Sequence, residues 1–305
     1  MEQQERIPVI PDIGKFCARI RNTSFSSISK DPTVFSNAVM EINNSFLFDG
    51  VICCEDTTLE AEALGCTIAW TEDGNLASVL SPAPGPLNDM DLEKRTPGTR
   101  LGKVVETVRR VAKRFGTKTA TVAAVTGPAT IASKLTGTDI FSGIESGHDQ
   151  ALRALEISAN ACVSLIKSYC EDGVHAIVVV EEGFVSKYSE DVLNEIENSI
   201  QPLLNVLEYY RKDAVFHFPS CGDIGNVKGL LASGIRGVVI GKRADHKKGY
   251  TMALETGIAY GAPLFESLGA MGKGEIVGRE GFFVTGEIQY NTDANMLSEF
   301  VKHFH

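Results

Sequence analysis

Ala214-Val-Phe-His-Phe-Pro-Ser-Cys-Gly-Asp223 begins as an apolar run and ends on an imidazole, a proline, a thiol, a glycine and a carboxylate. An apolar run that gives way to Pro, Gly and polar groups reads as a buried strand emptying into a loop. Other segments share the form. Ile7-Pro-Val-Ile-Pro-Asp12 precedes Gly14, and Gly50-Val-Ile-Cys-Cys-Glu-Asp56 ends in two carboxylates. Thr119 to Val125 leads into Thr126-Gly-Pro128, and Ala176 to Val180 into Glu181-Glu-Gly183. Gly281-Phe-Phe-Val-Thr285 leads into Gly286-Glu287, and further apolar runs lie at Gly237 to Ile240 and near Ile258 to Tyr260.

Amphipathic segments lie between these runs. Residues 31 to 47 open on Asp31-Pro32 and carry Phe35, Val39, Ile42 and Phe46 on one face. Residues 101 to 115 carry Leu101, Val104, Val108, Val111 and Phe115 on one face and Arg109, Arg110, Lys113 and Arg114 largely on the other, a solvated face rather than a binding patch. Helices are also expected over 57–64, from Pro128 onward, and over 148–170, 189–211, about 223–232, 246–256 and about 293–304. Cys66 to Trp70 and Ala77 to Leu80 flank Glu72-Asp-Gly-Asn75, a hairpin signal, and Pro82, Pro84 and Pro86 mark a surface loop. Continuous apolar strands alternating with amphipathic helices mean a parallel sheet covered by helices. Roughly eight such units predict an α/β fold, a (β/α)8 TIM barrel with one short hairpin insertion, as one domain over residues 1–305. A doubly wound open sheet is the alternative, but no Gly-x-Gly-x-x-Gly opens a helix.

Composition narrows the class. Of 305 residues, 43% are hydrophobic, enough for a sizeable core, and the net charge of −10 argues against nucleic acid or an acidic membrane surface as partner. Seven cysteines without regular spacing point to reduced thiols in a cytoplasm. Met1-Glu-Gln-Gln-Glu-Arg6 is too polar for a signal peptide, and no run reaches membrane-spanning length.

Four motifs carry a resemblance. Phe48-Asp-Gly-Val-Ile-Cys-Cys-Glu-Asp56 with Glu60-Ala-Glu-Ala-Leu-Gly65 resembles the second-strand region of the uroporphyrinogen decarboxylase superfamily. Gly127-Pro-Ala-Thr-Ile-Ala132 with Leu135-Thr-Gly137 is similar to its Gly-Pro-x-Thr-x-Ala segment, and Phe216 to Asp223 to its His-x-Cys-Gly-Asp strand end. Gly281 to Ile288, followed by Asn295-Met-Leu297, looks like its closing strand and helix. The resemblance implies a (β/α)8 barrel and one of two chemistries, porphyrinogen decarboxylation or cobalamin-linked methyl transfer, the latter often with zinc.

Departures from both patterns sharpen the expectation. The decarboxylase's arginine-rich amino-terminal loop is not visible, its late His is absent with Glu287 about there, and Asp56 falls where it has a catalytic Asp. Against the thiol methyltransferases, the His-x-Cys is stretched to His217-x-x-x-Cys221, and no cysteine follows Cys221. A site of Glu182, His217 and Glu287 is harder than a sulfur-rich one and suits polarising an ether oxygen. The expected activity is therefore transfer of a methyl group from a small methylated substrate, an ether of the O-demethylase type, to the cob(I)alamin of a partner corrinoid protein. A decarboxylase-like enzyme and a non-catalytic barrel that binds a corrinoid or a partner are the alternatives, and a homodimer is left open. Strand ends converge on one rim in a barrel, so Glu182, His217, Cys221 and Glu287 are the candidate zinc ligands. Asp56 and Glu55 are the candidate catalytic carboxylates, the plainer alternative being that they pair with an arginine at the mouth.

Overall fold

The protein is described here by a computed structural model covering residues 7–85, 87, 90–184, 188–231, 233–241, 244–264 and 281–304; Pro86 of the proline loop and Ala232 lie outside the described residues. Seven strands form one parallel sheet: β1 (Gly50–Ile52), β4 (Ala120–Thr126), β5 (Ala176–Val180), β6 (Asp213–Phe218), β7 (Gly237–Ile240), β8 (Ala259–Pro263) and β9 (Phe282–Thr285), paired in that order. Parallel neighbours require crossovers, and helices supply them. The longest are Arg100–Phe115, Asp149–Glu171 and Glu190–Tyr210.

The sheet curls until both edges meet the same stretch of chain. Asp49 and Ile52 donate to the carbonyls of Val9 and Pro11, and Ile13 donates back to Ile52. On the other side Ile10 and Asp12 donate to Val284 and Gly286, while Val284 and Ile288 donate to Pro8 and Asp12. The run expected as the first strand therefore makes only isolated bridges, at Val9 and Asp12, because Pro8 and Pro11 have no N–H to add to a ladder.

The expected hairpin is β2 (Thr67–Trp70) and β3 (Ala77–Ser81), a separate antiparallel pair turned at Asp73-Gly74, where Gly74 takes φ 69°. The helix expected from 31 spans Pro32–Phe46: Asp31 accepts from the N–H groups of Thr33 and Val34, and Pro32 occupies the first turn. Two short helices, Gly14–Ile20 and Phe25–Ile28, fall where no element was expected. The helix expected over 223–232 is instead a 3-10 turn, Ile224–Val227, followed by Lys228–Leu231; Gly222, Gly225 and Gly229 make a longer helix costly there.

Two cores result. Successive strand side chains point to opposite faces. Ile52, Val122, Val178 and Val180 pack inside the curled sheet, while Val51, Ala123, Val125, Ile177, Val179, Phe216 and Val238 join the larger core under the helices. Among the described residues, no helix is long and apolar enough to cross a membrane.

Candidate functional site

The same alternation builds a site at the carboxyl ends of the strands. Inside the sheet, Ile52, Val122, Val178, Val215 and Phe283 line an apolar cavity of about 60 Å³. Its upper boundary is polar, with His217 two residues beyond Val215 and Thr285 two beyond Phe283. Above lies a cavity of about 470 Å³ bordered by Asp12, Lys15, Glu55, His217, Cys221 and Glu287, with Val239, Ile240, Pro219 and Pro263 as apolar walls. A smaller one of about 230 Å³ adjoins it beneath the hairpin and shares Asp12, Lys15, Glu55, Pro219 and Glu287.

His217 and Glu55 form the centre. His217 Nδ1 lies 2.5 Å from Glu55 Oε1, and both side chains are largely buried. Asp12 stands beside them, accepting from the N–H of Gly14 at 3.0 Å and of Glu55 at 3.3 Å. Burial, then the Glu287 and Glu55 carboxylates, push the Asp12 carboxyl well above the usual range, so it favours the protonated form. Lys15 Nζ lies 2.6 Å from Glu287 Oε1. Burial works against the Lys15 charge, but Glu287 outweighs it and the ammonium is held more firmly than usual.

Asp56, the neighbour of Glu55, has a different environment. Its carboxylate pairs with Arg100 Nη1 and accepts from the N–H of Thr58 at 2.9 Å and from Thr58 Oγ1 at 2.7 Å. Arg100 is buried at the start of its helix, donates also to Glu62 at 2.7 Å and to Thr58 Oγ1 at 2.7 Å, and lies 4.9 Å over the Trp70 ring. Burial alone would raise the Asp56 carboxyl, yet Arg100 and the Thr58 bonds carry it below the ordinary value. Asp56 does pair with an arginine, the buried Arg100.

The pair at β5 divides likewise. Glu181 turns toward the helices and accepts from the N–H groups of Ala129 and Thr130 at 3.0 and 2.9 Å and from Thr130 Oγ1 at 2.6 Å. It thereby caps the helix Pro128–Thr136, and its carboxylate explains Gly127: a Cβ there would lie 2.2 Å from the Glu181 carboxyl carbon. Burial pushes Glu181 up to about 7 despite those bonds. Glu182 faces the smaller cavity, accepting from Thr57 Oγ1 at 2.7 Å and pairing with Lys134 Nζ at 2.7 Å.

The four candidate zinc ligands are therefore only partly brought together. His217, Cys221 and Glu287 border the larger cavity, whereas Glu182 borders the smaller one. Each is engaged elsewhere: His217 by Glu55, Glu287 by Lys15 and Gln289, Glu182 by Lys134 and Thr57. Cys221 is buried and donates its S–H to the Asp223 carbonyl at 3.1 Å; burial raises its pKa, which favours thiol over the thiolate a metal needs. Among the described residues, no three His, Cys, Asp or Glu side chains are grouped to hold a metal ion. As placed, the residues do not fit the expected zinc site.

In the sequence Asp12 is visible as a strand end with no role attached, and nothing local marks Lys15, Arg100 or Lys134. Lys15 lies one residue past Gly14 in a helix with no periodic signal, and Arg100 merely begins an amphipathic helix. Counting by twos from the inward Ile10 would have brought Asp12 into the site.

The uroporphyrinogen decarboxylase (URO-D) family profile matches residues 1–259. No curated protein matches the chain. Among solved structures, a methyltransferase from Methanosarcina mazei superposes with a TM-score of 0.80 at 18% identity, over 99% of this chain and 94% of that one. A B12-independent methionine synthase from Shewanella sp. W3-18-1 superposes with a TM-score of 0.56 at 12% identity, over 89% and 86% of the two chains. At such identities the likeness is one of fold.

Proposed function

The chain belongs to the uroporphyrinogen decarboxylase (URO-D) family, and from that premise we propose that it moves a methyl group from a small, uncharged methyl ether to the cob(I)alamin of a partner corrinoid protein. The observation that carries the reading is the His217–Glu55 pair at the head of the larger cavity. Demethylating an ether breaks a C–O bond and leaves negative charge on oxygen, which a positioned acid must quench. In the imidazolium form His217 is held by Glu55 and gives its proton to that oxygen; the ring is left neutral and the alcohol departs. Glu55 fixes the ring, and Asp12, which accepts from the Glu55 N–H, fixes the backbone that carries Glu55. The superposition on the Methanosarcina methyltransferase is compatible with this reading at the level of fold.

Charge balance favours an uncharged donor. Glu55 faces His217, Glu287 faces Lys15, Asp56 faces Arg100 and Glu182 faces Lys134. A cavity of about 470 Å³ suits a small molecule, not a corrin macrocycle, so the corrinoid stays on its carrier. When bound, the corrinoid supplies the nucleophile that accepts the methyl group. Asp56, engaged by Arg100, has no carboxylate oxygen clear of partners for the decarboxylase-like alternative. We further propose that residues 7–12 act as the eighth strand of a single (β/α)8 barrel over 1–305, and that seven free, buried thiols suit a cytoplasmic setting.

The test is a panel of methyl ethers with cob(I)alamin on a corrinoid protein, reading consumption of cob(I)alamin and release of the alcohol. His217→Ala should abolish transfer in a folded protein. A protein inert with every donor that still captures a corrinoid protein would be a binding barrel instead. Stoichiometric zinc that leaves with His217→Ala would make His217 a metal ligand and not a proton donor.

A further inference from the structure

His217 does not line the smaller cavity beneath the hairpin, and the walls of that cavity are held by bonds of their own. The helix Phe25–Ile28 is not capped by Ser24, which makes no side-chain cap bond. Its first N–H groups go to the hairpin tip: Phe25 donates to Asn75 Oδ1 at 3.0 Å and Ser26 to the Gly74 carbonyl at 2.9 Å. Asn75 is itself tied to Asp73 through Nδ2 at 3.1 Å, and Thr71 and Leu76 close the tip by backbone and side-chain bonds of 3.0 Å. The tip is thus latched over the mouth, with Leu76 at the cavity lip, 55% exposed.

Its lining combines apolar Phe25, Leu76, Ala77, Val180 and Pro219 with charged groups that are already matched: Asp56 by Arg100, Glu182 by Lys134, Glu287 by Lys15 and Glu55 by His217. Such a chamber disfavours a charged guest and rewards burial of an apolar one. It reaches the His217–Glu55 pair at Glu55 itself, which both cavities share together with Asp12, Lys15 and Glu287. We propose that the hairpin-roofed chamber is the subsite for the part of the donor that is not transferred, an uncharged aryl group, and that Leu76 is its specificity-determining residue. The inference rests on the methyl-transfer reading for its role, though not for the binding itself. With the aryl ring under the hairpin, the ether oxygen lies toward His217 and the methyl group toward the larger cavity.

The only tryptophan of the chain, Trp70, reports on this chamber, since its ring meets the Phe25 ring edge-on at 6.3 Å between centroids. Phenol and methoxybenzene, titrated separately into the full chain, should each change Trp70 emission saturably. Leu76→Asp, at a position exposed enough to keep the protein folded by circular dichroism, should weaken that binding by roughly tenfold. It should also lower kcat/KM for methoxybenzene relative to dimethyl ether, which has no aryl group, by a similar factor. Leu76→Ala should shift the same ratio less. Saturable binding with no methyl transfer from any donor would uphold the subsite while ending the functional reading. No saturable emission change, or equal binding and an unchanged ratio in Leu76→Asp, would overturn the subsite.

Discussion

Two strand ends each present adjacent carboxylates, and they resolve differently. At β5, Glu182 follows the inward-facing Val178 and Val180 in strict alternation, so it faces the mouth and Glu181 faces the helices. At β1 the same count from Ile52 would turn Asp56 inward, yet Glu55 meets His217 and Asp56 meets Arg100. The difference lies in where the strand stops. The β5 ladder runs to Val180, against the His217 position of β6, and holds the alternation to its end. The β1 ladder ends at Ile52, so Cys53 to Asp56 follow whatever partners are near, and a buried guanidinium is the strongest of these. In an acidic doublet, the partner each carboxylate finds, and not its place in the count, decides its part: Glu55 meets an imidazole that can carry a proton, Asp56 a guanidinium that cannot release one.

The largest expected effect is on turnover at the member that meets His217. Glu55→Gln removes the carboxylate that holds the His217 ring and should cost about 10²- to 10⁴-fold in methyl transfer, the usual range for acid–base groups. Melting temperature should move less than at Asp56. Unchanged turnover in a folded Glu55→Gln protein would remove the pair from the chemistry and erase the contrast.

Asp56→Asn should act on stability instead. Breaking a buried ion pair leaves an uncompensated charge, here with Glu62 as the remaining partner of Arg100, so a loss near the lower end of about 3–5 kcal/mol is expected by denaturant titration. Because the folded Asp56 pKa is depressed, its contribution is present above the ordinary aspartate value and disappears as pH falls through the folded one. Specific activity of the folded fraction should stay near that of the parent. A turnover loss matching Glu55→Gln with no loss of stability would return Asp56 to the catalytic role that its position in the sequence suggests.

Much of this arrangement was legible in the sequence. Apolar runs located the strands of the sheet, five of them by the polar residues that close the run, and Asp73-Gly74 located the hairpin. The candidate rim was legible too, since Glu55, His217, Cys221 and Glu287 do border one cavity. What stayed hidden was pairing. Nothing local in Arg100, Lys134 or Lys15 marks the carboxylate each will meet, because the partners lie 44, 48 and 272 positions away and only the fold brings them together. Strand ends alone mark Glu182 as a candidate ligand, and the Lys134 that pairs with it in the fold leaves no trace beside it in the sequence.

Glu181 allows a test by pH. Its folded pKa is raised to about 7, so its contribution to stability is fully present below the ordinary glutamate range and is lost as pH rises through about 7. At about 1.4 kcal/mol per unit, the loss across that window is on the order of 3 kcal/mol at most. Glu181→Gln should flatten the stability profile over the window, read as melting temperature against pH. A profile that keeps its slope in the variant would show that another buried carboxyl, such as Glu60 or Asp12, sets it, both being raised by burial as well.

The smallest effect is expected at Glu182. Its pair with Lys134 is partly exposed, 16% for the lysine side chain and 42% for the glutamate, and solvent screens such pairs to about 1 kcal/mol or less. Glu182→Gln and Lys134→Met should therefore each cost little stability, and the double variant should cost less than the two singles added together, because the second change removes a partner already lost. Turnover should fall far less than in Glu55→Gln, since Glu182 borders the smaller cavity and leaves the His217–Glu55 pair intact. The informative reversal is metal. If the purified protein carries zinc and Glu182→Gln releases it together with activity, then Lys134 is a stand-in for a cation that binds there in solution, and the alternation at β5 points to a ligand. Without such release, Glu182 holds the edge of the chamber by its bonds to Thr57 and Lys134, and the reacting carboxylate of the mouth is the one that β1, by ending early, turned toward His217.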